Sequence, residues 1–79
     1  MIELKVKFND VWAAAFQAES INKQMKQDEI FDMVSSVKQH DNILILNTKF
    51  NNHEEARRII MPLLIIAANS YGFDVCCIN

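Results

Sequence analysis

Ile2, Leu4, Val6 and Phe8 alternate with Glu3, Lys5 and Lys7. A period of two puts one set on a buried face and the other in water, which predicts a strand. Asn9-Asp10 follows, an N-cap and then an acid at the positive end of a helix dipole. Apolar residues then recur at helical spacing in two rows, Trp12, Ala15, Phe16 with Glu19, and Val11, Ala14, Ala18 with Ile21. A first helix is expected to run to about Lys26, where polar residues take over.

Residues 28–38 satisfy two templates. Ile30, Met33, Val34 and Val37 share a helical face with Asp28 as cap, whereas Phe31, Met33, Ser35 and Val37 share a strand face. The strand is preferred because the next segment completes a hairpin: Gln39-His40-Asp41-Asn42 is a polar turn and Ile43-Leu44-Ile45-Leu46 an apolar run. Asn52 followed by Glu55 reads as a capping box that opens a second helix. From Ile59 to Ala68 that helix is apolar on nearly every side, interrupted by Pro62, which removes one backbone donor and predicts a kink. Gly72 supplies the C-terminal stop. Phe73, Val75 and Cys77 then alternate with Asp74, Cys76 and Ile78 as a closing strand.

The resulting order, β-α-β-β-α-β, predicts an α+β ferredoxin-like plait, one antiparallel sheet with two helices on one face. The alternative keeps 28–38 helical and gives a three-stranded β-α-α-β-α-β fold. Residues 1–79 are read as one domain, because a chain of 79 residues buries only about 60% of its unfolded surface and has no room for a second core.

Two expectations concern surplus apolar surface. The run Ile43 to Leu46 places apolar side chains on both sheet faces. Ile30, Val34, Cys76 and Ile78 are expected to join the outer one. The second helix has more apolar circumference than a one-sided helix needs. Ile43, Ile45, Arg57, Arg58, Met61 and Ile65 are therefore the expected partner-binding residues, with the two arginines at the rim of an apolar interface. Arg57 and Arg58 would serve equally as surface charge paired with Glu54.

Composition narrows the chemistry. Apolar residues are 51% and charged residues 23% of the chain, a globular balance. A formal charge of -2 gives no basis for a dedicated duplex binder. The basic residues Lys5, Lys7, Lys38, Lys49, Arg57 and Arg58 read as dispersed and offset by acids, and the strands show no aromatic platform for stacked bases. Weak contact with nucleic acid through Lys5, Lys7 and Lys49 is the most this reading allows. Cys76-Cys77 is neither a spaced disulfide framework nor a Cys-x-x-Cys pair, which points to a reducing compartment. No segment has the form of a signal peptide or a bilayer span, so a soluble cytoplasmic protein without a membrane partner is expected. Frequent Asn, Ile and Lys beside one Gly and one Pro suit an AT-rich genome, phage genomes included.

No catalytic set emerges. Asp10 at the mouth of the first strand is the best single acid, and the small ferredoxin-like nucleases of CRISPR-associated type carry an aspartate there. The helix cap explains the same residue without chemistry. His40 and His53 have no companions at ligand spacing, and Ser20, Ser35, Ser36 and Ser70 have no base and orienting acid. The only glycine lies at a helix end, so no loop cradles phosphate. The expectation is a non-enzymatic, cofactor-free and metal-free interaction module. It would pair with itself as a homodimer and bind another protein, as compact regulators and phage-encoded inhibitors of host systems do. A metal-dependent nuclease using Asp10 and an RNA- or ligand-binding plait are the alternatives.

Overall fold

The computed structural model describes residues 2–27 and 32–79. Along the chain run β1 (Ile2–Phe8), α1 (Val11–Gln27), β2 (Val34–His40), β3 (Ile43–Thr48), α2 (His53–Ser70) and β4 (Val75–Cys77). The strands form one four-stranded antiparallel sheet in the order β2-β3-β1-β4. This arrangement is consistent with the ferredoxin-like α+β class. The three-stranded alternative is overturned, because Val34–His40 pairs with β3 as a strand. Residues 28–31 lie outside the described residues, and with them the roles expected of Asp28, Ile30 and Phe31.

The inward face of the sheet holds the core. Leu4, Val6 and Phe8 of β1 and Leu44, Leu46 and Thr48 of β3 are buried beneath the helices. Ala13, Ala14 and Ile21 of α1 pack from above, as do Ala56, Ile60, Met61, Leu64 and Ala68 of α2. Each fully buried branched side chain contributes about 1.5–3 kcal/mol relative to exposure. Thr48 is satisfied by donating from Oγ1 to the Ile2 carbonyl at 2.8 Å.

Val34 departs from expectation. It is buried on the inward face rather than joining the outer one. A bulge between Val34 and Ser36 leaves Ser35 without a partner on β3, so Val34 opposite Thr48 and Val37 opposite Leu46 both face the helices. Strict alternation cannot put residues three apart on one face, and the extra residue of the bulge allows it.

Both helices are capped by side chains, and the first cap is shifted by one residue from the expected one. Asp10, not Asn9, caps α1: its carboxylate accepts the Ala13 N–H at 2.7 Å. Asn9 instead ties the end of β1 to the residue before β4, its side chain accepting the Asp74 N–H. Asn52 caps α2, accepting from the N–H groups of Glu54 and Glu55 at 2.8 and 3.2 Å. The helix continues through the exposed Pro62 to Ser70.

Candidate functional site

The sheet turns one face to the helices and leaves the other open. Register places Glu3, Lys5 and Lys7 of β1, Ile43, Ile45 and Asn47 of β3, Ser36, Lys38 and His40 of β2, and Cys76 of β4 on that open face. Lys5 and Lys38 are the cross-strand neighbours of Ile45 on its two sides. Lys7 and His40 flank Ile43 in the same way. The next row, Ser36, Asn47 and Glu3, is polar, with Asn47 Nδ2 donating to Ser36 Oγ at 3.1 Å. The two isoleucines are half-buried and the lysines exposed. Three of the basic residues that read as scattered along the chain are thus gathered by strand pairing onto one surface.

On the opposite side of the molecule, α2 turns several large apolar side chains to solvent. Ile59 is 41%, Ile65 40% and Ile66 68% exposed, and Pro62 lies among them on the outer side. Ile59 and Ile66 stand seven residues apart, two turns along one stripe. Arg57 and Arg58 are exposed near its start. The expected pairing with Glu54 is not formed; among the described residues the ion pair is Lys23 with Glu19 at 3.6 Å.

The six expected partner-binding residues therefore do not share one surface. Ile43 and Ile45 lie on the open sheet, and Arg58 and Ile65 on the outside of α2, whereas Arg57, exposed near the helix start, shares the helical phase of the buried Met61 and Leu64. Met61 is only 7% exposed and belongs to the core. A helix apolar all round does not declare which residues face inward: Met61 turns to the sheet, and Ile59 and Ile66 meet solvent in its place.

Four aromatic side chains distant in sequence form a cluster. Trp12 meets Phe73 edge-on with ring centroids 5.3 Å apart, and Phe16 meets Tyr71 at 4.7 Å. Phe16 and Phe73 close the set at 5.9 Å. The start of α1 and the turn after α2 are joined by it, leaving Trp12 66% exposed. The spacing of Trp12 and Phe16, one helical turn apart, was the available signal; Tyr71 and Phe73 come from too far along the chain to be assigned to it.

The candidate chemical residues stay apart. Asp10 spends its carboxylate on the α1 cap, and among the described residues no three His, Cys, Asp or Glu side chains gather as a metal-binding group. His40 lies on β2 and His53 begins α2. Cys76 is exposed on the open sheet face, and Cys77 turns partly into the core with a free thiol. The cleft where β1 meets β4, about 270 Å³, is lined by Lys7, Asn9, Asp74 and Cys76 and lies open to solvent. Among the described residues, no helix is long and apolar enough to cross a membrane. No protein family, curated protein or solved structure matches this chain.

Proposed function

We propose that this chain is a non-enzymatic interaction module built on a ferredoxin-like plait. It associates as a homodimer through the outer face of α2 and acts by binding a macromolecular partner, as a compact regulator or inhibitor does. The observation that carries this reading is the outward stripe of α2, where Ile59, Ile65 and Ile66 meet water together. Burying such side chains is favourable in proportion to the apolar area removed from water, and a contiguous exposed apolar surface marks an association site.

A second copy is the occupant that fits the stripe. Its apolar centre carries no charge, so a two-fold axis brings isoleucine against isoleucine with no like-charge contact. Antiparallel pairing about Pro62 sets the Ile59 end of one helix beside the Ile66 end of the other. Arg58, one turn before Pro62, then lies at the rim, where interfaces place arginine. The nuclease alternative has less support, since Asp10 is occupied as a cap.

Thermal unfolding at several protein concentrations tests the dimer. A folded dimer is stabilised by mass action, so its Tm rises with concentration. The unaltered chain is expected to show that rise and Ile66→Glu to abolish it while keeping the fold. A Tm independent of concentration in the unaltered chain contradicts the proposal.

A further inference from the structure

The open sheet face differs in kind from the stripe on α2. Among the described residues it carries three lysines, Lys5, Lys7 and Lys38, against one acid, Glu3, in a chain whose formal charge is -2. The lysines are not spread evenly. With His40 they flank the half-buried Ile43 and Ile45 on both sides, and the Ser36–Asn47 hydrogen bond borders the patch. An apolar centre with a charged rim is the anatomy of a protein interface.

From this arrangement we infer that the open sheet face is a docking surface for an acidic, amphipathic segment of another protein. Such a segment lays apolar side chains over Ile43 and Ile45 and sets its carboxylates against Lys5, Lys7 and Lys38. The inference rests on the interaction-module reading and names the partner chemistry of a surface separate from the dimer stripe.

Charge decides between occupants. A second copy docked face to face about a two-fold axis would set lysines against lysines, and like-charge juxtaposition costs several kcal/mol. Single-stranded RNA would satisfy the lysines, but its binding draws on aromatic platforms for the bases. Among the described residues, only the His40 imidazole is aromatic on this face; Phe8 and Phe50 are buried. Two aliphatic side chains between cations match an acidic peptide with an apolar side better than they match stacked bases.

The test is a titration of the full chain, isotope-labelled for amide NMR, with two probes. One is a helical peptide with leucines on one side and glutamates on the other; the other is an oligouridylate of equal charge. The peptide is expected to shift the amide signals of Lys5, Lys7, Lys38, Ile43 and Ile45 saturably, and more tightly than the oligouridylate does. Neutralising the rim in the Lys5→Gln/Lys38→Gln double variant is expected to raise the peptide Kd roughly tenfold. The Lys7→Gln/Lys38→Gln pair provides the same test on the same face should the first pair misfold, which the amide spectrum itself reports. The inference is overturned if the peptide produces no saturable shift at these residues, if the oligouridylate binds the face more tightly, or if neutralisation leaves the affinity unchanged. Ile66→Glu, which breaks the proposed dimer, is expected to leave this titration intact, so failure of one surface is not mistaken for failure of the other.

Discussion

The backbone N–H of Phe73 donates to the carbonyl of Ala68 at 2.9 Å, closing the last turn of α2 over Gly72. Gly72 in turn donates to Asn69 at 3.1 Å from a left-handed backbone, φ 76°. The pair of bonds forms a Schellman motif and delivers Phe73 into the aromatic cluster. A Cβ added at Gly72 would meet no atom within 4 Å, so substitution there is penalised by backbone conformation alone. Gly72→Ala is expected to cost about 1–2 kcal/mol by denaturant unfolding, with Gly72→Asn costing less. A loss well beyond that would mean that the turn is held by contacts absent from this account.

Asp10 provides the second prediction. As an N-cap it is expected to lose about 1 kcal/mol of stability on replacement by Ala and little on replacement by Asn, whose side-chain oxygen caps equally well. Equilibrium unfolding of both variants checks the cap: equal losses for Ala and Asn would remove the capping explanation.

Adjacent residues of β3 are expected to respond oppositely to the same change. Leu46 is fully buried between Leu4 and Val37, so Leu46→Asp places an unpaired charge in the core and is expected to prevent folding. Ile45→Asp sets its carboxylate between Lys5 and Lys38 on the open face and is expected to change stability by less than about 1 kcal/mol. Circular dichroism melts of the two variants check the register; similar losses in both would show that β3 is misaligned.

Gln17 is the polar side chain out of place. It is 1% exposed near the middle of α1's buried face, and its Nε2 has no hydrogen-bond partner among the described residues. An unsatisfied buried amide costs about 1–3 kcal/mol. Gln17→Met, similar in length and without the donor, is expected to raise stability by about 1 kcal/mol. A measured loss of that size would show that the amide is satisfied in solution.

Local features were the most legible in the sequence. The alternation of Ile2 to Phe8, the Asn52 cap and the Gly72 stop each depend on residues within a few positions of one another, and each element stands where its pattern put it. Features that depend on pairing were not legible. Val34 faces the core because of a bulge at Ser35, and nothing in a period-two count announces an extra residue. Lys5, Lys7 and Lys38 form one patch because β3 lies between β1 and β2, so the lysines look dispersed until the register is known. For Met61, the uniform apolarity of α2 hid which side meets the sheet.

In the proposed dimer α2 meets a second copy of itself. Light scattering coupled to size separation, run on the unaltered chain over a wide concentration range, measures this directly. A mass close to twice the 9.1 kDa of the chain, falling to the single-chain value in Ile66→Glu, is the expected result. A single-chain mass at every concentration would contradict it.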